Sequence, residues 1–181
     1  MADSKEKVNA AIRMLNAQRH VVETQVRGDK GEHWYQIDGW MSVSSQEMQD
    51  LADGVYSLTE LTELFILRRI EEVSERPDEF ANQVLSEWDG YFKLGHADAL
   101  PTEFKDLKDR AIVYLNAKER VDNNRKNLQL IRQYADKPVP DDLLEQFASQ
   151  GRAAREEFVS AYRRHLETKC LRRAAEAKAG Q

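Results

Sequence analysis

The sequence predicts an all-α protein, a bundle of five to six helices with a long C-terminal antiparallel helical hairpin and one small β-hairpin at residues 33–43. Three observations lead there. Apolar residues recur at helical spacing along most of the 181 residues. Only four prolines and eight glycines interrupt them. Two Ser-x-x-Glu capping boxes, Ser44 to Glu47 and Ser57 to Glu60, stand directly before apolar helical runs. The length suits one domain, with residues 1–100 as a core that includes the β-hairpin and residues 102–177 as the helical hairpin, broken by a linker at 136–141.

The first helix is expected from Ser4 to about Arg27. Val8, Ile12, Leu15, Val22 and Val26 mark its stripe, and Gly28 offers a left-handed C-terminal cap. Within that helix His20 and Glu23 would form a surface pair at i, i+3. Two apolar runs then flank Asp38-Gly39, the strongest short hairpin signal, because a type I′ turn needs positive φ at both central residues. A two-residue loop would pair Ile37 with Trp40, Gln36 with Met41, Tyr35 with Ser42, and Trp34 with Val43. One face would then carry Tyr35, Ile37 and Trp40, and the other Trp34, Met41 and Val43. Both faces are apolar, so the ribbon is expected to brace the helices, with Trp34 or Trp40 mostly buried.

A short helix to about Asp53 follows the first capping box. The second box opens the most apolar helix, to about Ser74, whose Leu58, Leu61, Leu64, Phe65, Leu67, Ile70 and Val73 place it centrally. Pro77 starts another, to about Leu94, with Phe80, Val84, Leu85, Trp88 and Phe92 on its buried side. From Thr102 a helix of about 50 Å reaches Tyr134. It is apolar at both ends and polar over Lys118–Asn127. The prolines of Asp136–Asp141 break the chain, and a last helix extends to about Ala177.

Charge is unevenly distributed. Residues 31–80 carry twelve acidic and three basic residues, whereas residues 152–181 carry four acidic and eight basic ones. Overall acidity argues against non-specific nucleic-acid binding, and basic ends facing an acidic middle favour association within or between chains. A single cysteine, Cys170, excludes an intramolecular disulfide, and the chain shows neither an apolar export segment nor a membrane span. A cytoplasmic protein is expected.

No catalytic set, metal site or cofactor is expected. Phosphate loops, zinc cysteine pairs and Gly-x-Ser-x-Gly elbows are absent, and the Glu-x-x-His pairs of di-metal bundles do not occur. Cys170 lies among Lys169, Arg172 and Arg173 with no general base at readable spacing, which makes it a structural or incidental cysteine. The expected function is that of a non-catalytic helical interaction or assembly module, coiled-coil-like and oligomeric, of a kind common among phage, plasmid and bacterial accessory proteins. Its partner would be a protein or a second copy of the chain, and not a membrane. The candidate binding residues are Trp34, Tyr35 and Trp40 on the ribbon, and Arg163, Arg164, Arg172 and Arg173 on the last helix. The alternatives are a nucleic-acid-binding regulator that uses this basic helix, and a small enzyme whose carboxylates converge only in three dimensions.

Overall fold

The computed structural model describes residues 4–27, 31–134 and 141–179, with backbone alone at Arg27, Asp141, Leu144 and 173–179. The expected linker at 136–141 lies outside the described residues except for Asp141, and so does Gly28. The protein is mostly helical but not purely so, because a three-stranded antiparallel sheet takes the place of the expected hairpin. The chain divides into two compact units, residues 1–69 with 169–181, and residues 70–168. None of the described helices is long and apolar enough to cross a membrane.

The first unit begins with α1 (Ser4–Ala17), the meander β1 (Val22–Arg27), β2 (Glu32–Ile37) and β3 (Met41–Ser44), and then α2 (Ser45–Ala52). The first helix therefore ends ten residues earlier than its spacing suggested. Arg19 takes a left-handed φ of 66°, which turns the chain, and His20 N–H closes the turn on Leu15 O. Beyond it Val22, Thr24 and Val26 alternate along a strand. Val22 and Val26 also fit a helical stripe, and the alternation prevails because β2 is there to pair with it.

The register of the ribbon is corrected by one residue. Ile37 pairs with Met41, Gln36 with Ser42, Tyr35 with Val43 and Trp34 with Ser44. The loop is Asp38-Gly39-Trp40, with Asp38 at φ 52° and Gly39 at φ 72°, and Trp40 N–H donates to Ile37 O. A slip of one residue moves every side chain of one strand to the other face. Tyr35, Ile37, Met41 and Val43 consequently share the buried face. They pack with Val8, Ala11 and Leu15 of α1, Met48 and Leu51 of α2, and Leu61.

Both capping boxes form as expected. Ser44 N–H and Ser57 N–H donate to the Glu47 and Glu60 carboxylates, and each serine hydroxyl accepts from the glutamate N–H. The backbone hydrogen bond from Ser57, with its hydroxyl adding to it, holds Glu60 below the usual carboxylate range. From the second box runs α3 (Leu58–Glu75). Its broad apolar surface is not all interior. Leu61, Ile66 and Val73 are buried, but Leu67 is 55% exposed and Leu64 also faces outward.

The second unit holds the end of α3, α4 (Pro77–Lys93), α5 (Thr102–Tyr134) and most of α6 (Asp141–Ala179). Side-chain partners fix the directions. From α4 to α5 run Asp78 with Lys118, Lys108 over the Trp88 ring, and Tyr91 with Phe104, an antiparallel series. From α5 to α6 run Phe104 with His165, Asp106 with Arg164, Arg110 with Glu157, and Tyr114 with Phe158, antiparallel again. The expected helical hairpin is thus present, with α4 as a third helix beside it. Phe80, Phe104, Leu107, Ala111, Tyr114, Phe158 and Tyr162 form its interior, with Phe80 edge-on to Tyr162. Phe92, expected inside, is 67% exposed, because it stands one position round the helix from Tyr91, which makes the contact.

Asp78 anchors the start of α4. Tyr114 Oη and Lys118 Nζ both donate to its carboxylate. Burial alone would raise this carboxyl, but the two donors outweigh burial and hold it below its ordinary value of 3.8. Burial, and then the bond to Asp78, push the Tyr114 phenol above its usual range. A depressed carboxyl adds stability that is complete above its unfolded value and lost as pH falls through the folded one. The Asp78→Asn variant should therefore be less stable than wild type at pH 7 in urea titrations, by about 1 kcal/mol after screening at this partly exposed site. The difference should shrink as pH falls below 3.8 and through the lower folded-state value. The raised phenol adds the opposite limb, with wild-type stability falling once pH passes the unfolded tyrosine value of 10.0.

Candidate functional site

Two places stand out, one in each unit. In the first unit the loop between β2 and β3 holds Asp38 in left-handed backbone, and Val21, just before β1, fixes it there. Asp38 N–H donates to Val21 O at 2.8 Å, and Val21 N–H donates to Asp38 Oδ1 at 2.9 Å. The other carboxylate oxygen lies 2.7 Å from His20 Nδ1. A carboxylate only accepts, so Nδ1 carries the proton and Nε2 is the ring's second functional atom. Both side chains are largely buried, His20 being 16% and Asp38 21% exposed. The pair borders a cavity of about 220 Å³ with mainly apolar walls from Ile37, Trp40, Met41, Leu58 and Leu171.

Cys170 reaches the same cavity. Its sequence neighbours supply no general base, whereas the fold brings it to a cavity shared with His20. The expected helical pair of His20 with Glu23 is corrected, since His20 lies in the turn before β1 and engages Asp38. Trp40 packs edge-on to Phe65 at 5.6 Å between centroids, and its buried Nε1 has no hydrogen-bond partner among the described residues.

The expected ribbon residues separate. Tyr35 is a core residue and is removed from any exposed ribbon surface. Trp34 and Trp40 are each half-buried, Trp34 in strand β2 and Trp40 in the loop. The arginines are less available than their number suggested. Arg163 donates to Glu167 at 2.8 Å, and Arg164 donates to Asp106 at 2.9 Å. Arg172 is exposed, and the side chain of Arg173 lies outside the described residues. Among the described residues no group of three or more His, Cys, Asp or Glu side chains could hold a metal ion.

In the second unit the buried core ends abruptly. Among the described residues, Tyr114 is the last buried one of α5 and Ala154 the first of α6. Because Asp78 at the start of α4 meets Tyr114 and Lys118, α4 lies alongside α5 only up to that point. Past it α5 continues for sixteen residues to Tyr134, about 24 Å, with the start of α6 beside it. The two helices approach closely there. A Cβ on Gly151 would stand 3.2 Å from Val121 Cγ2, so the glycine is what permits that spacing. No described residue of this arm is buried, yet its tip carries Leu130 at 52%, Ile131 at 45%, Tyr134 at 79% and Leu143 at 41% exposure.

Helix pairing and the two capped starts place the chain in a broad class, mostly helical proteins with a small antiparallel sheet. Comparison with protein-family models, with curated proteins and with solved structures finds no match to this chain.

Proposed function

We propose that the protein is a non-catalytic helical interaction module that associates with a second copy of itself through the α5–α6 arm. The observation that carries this reading is the arm, two helices with four large apolar side chains exposed at their end and no buried side chain among its described residues. Two helices alone bury little, and a further helix laid against them supplies the missing apolar contact.

A second copy suits the charges. Over 119–134, α5 carries Arg120, Arg125, Lys126 and Arg132 against Glu119 and Asp122, whereas α6 begins with Asp142 and with Glu145, which also pairs with Arg152 of its own helix. In a two-fold pairing the basic helix of each copy meets the acidic helix start of the other, and both contacts form at once. The polar stretch Lys118–Asn127 then sits at the rim and the tip residues at the centre. The cytoplasmic setting expected from the single cysteine accords with this.

The alternative, nucleic-acid binding by the basic helix, has less support because Arg163 and Arg164 are spent on carboxylates. A photo-crosslinking amino acid in place of Tyr134 separates the two readings. Irradiation of the purified protein should give a covalent dimer joined at α5 or α6. Adducts to added nucleic acid with no dimer would favour the alternative.

A further inference from the structure

From the first unit, and independently of the arm, we infer that the cavity beside His20 is a binding site for a small neutral aromatic molecule bearing one hydrogen-bond donor, a phenol in its simplest form.

The size is adequate. A cavity of about 150 Å³ is enough to take benzene, and this one measures about 220 Å³. Ring-sized apolar matter fits its walls, where Trp40 offers an aromatic face, Met41 a polarisable sulfur, and Ile37, Leu58 and Leu171 aliphatic carbon. Thr62 offers no free donor, because its hydroxyl donates to Leu58 O at 2.9 Å and lies 3.6 Å from Met41 Sδ.

Among the polar groups at the cavity, His20 is the ring acceptor that reads the ligand, beside the unpaired N–H of Trp40 and the hydroxyl of Thr59. His20 is held by Asp38 through Nδ1, and Asp38 is itself held by the Val21 N–H. The imidazole is thus fixed in one tautomer, as a carboxylate hydrogen-bonded to the far nitrogen fixes a working histidine. Its Nε2 has no partner among the described residues, and in the neutral ring it is an acceptor. A ligand hydroxyl satisfies it. An anion suits the site less well, since the walls supply no cation and burying unpaired charge is costly.

The test is a titration of the intact ¹⁵N-labelled protein with phenol, anisole and benzoate, followed on the indole N–H signals. Three tryptophans give three signals, and the Trp40→Phe variant assigns the one that reports on the cavity. Phenol should shift the Trp40 signal saturably, with a Kd on the order of millimolar, leaving Trp88 unmoved. Anisole has the ring but no donor and should bind about tenfold more weakly, with benzoate weaker than phenol. The His20→Leu variant should bind phenol and anisole alike. Equal binding of phenol and anisole by wild type overturns the role of His20, tighter binding of benzoate overturns the neutral-ligand assignment, and an unmoved Trp40 signal overturns the site. The wild-type comparison decides even if His20→Leu fails to fold.

Discussion

Phe158→Ala should destabilise the second unit by about 3–5 kcal/mol, the usual cost of emptying a fully buried aromatic site. Phe158 is 0% exposed and central to the three-helix interior. Its ring stacks on Tyr114 of α5 at 5.7 Å and meets Tyr162 edge-on, and Tyr162 in turn contacts Phe80 of α4. Phe158 and Tyr162 of α6 therefore together tie the three helices, with Phe158 at the centre of the pair. Tyr114 is held from its other end by Asp78, so its ring cannot follow into the space left behind. The cost should lie toward the upper part of the range for that reason. Urea unfolding followed by circular dichroism measures it. A loss below about 1 kcal/mol would mean that the helices do not meet around this ring.

Met41→Asp should be of similar size, and it tests the strand register. In the observed pairing Met41 lies opposite Ile37 on the core face and is 1% exposed. A carboxylate there is buried among Ile37, Val43 and Met48 with no cation to meet it, at a cost of several kcal/mol. Val26→Asp in the same sheet is the control, since Val26 is 64% exposed and the change should stay within about 0.5 kcal/mol. Under the two-residue loop suggested by Asp38-Gly39, Met41 would instead share a face with Trp34. Equal effects of the two substitutions would favour that slipped register.

The two departures of the sheet from its sequence signals have one physical origin. The run from Val21 to Arg27 carries no proline or glycine, and Val22 and Val26 satisfy both a helical and an alternating period. The turn before it is made by Arg19 in left-handed backbone, a conformation that residue type does not announce. Once the strand was read as helix, the register of the next two could only be judged from Asp38-Gly39. In the fold, Val21, the residue just before β1, sets that loop through paired hydrogen bonds with Asp38. A tertiary contact decided what local turn chemistry could not.

Elsewhere local rules sufficed. Serine and glutamate three apart produced both capped helix starts, and Pro77 opened α4. The arm was partly legible, because α5 is apolar at both ends and polar between them, which no single buried environment explains. Its exposure was not legible, since that depends on where α4 begins to run alongside α5. The cavity was illegible altogether. His20, Asp38 and Cys170 lie in a turn, a hairpin loop and the last helix, and no spacing connects them.

The central claim is association through the arm, and sedimentation velocity over a concentration series tests it most directly. Wild-type protein should sediment as a mixture that shifts toward dimer as concentration rises. The double variant Leu130→Glu, Ile131→Glu should remain monomeric over the same range with an unchanged circular dichroism spectrum, because both side chains are already about half exposed and support no core. A wild-type chain that stays monomeric at every concentration, or a double variant that dimerises equally well, would contradict the account.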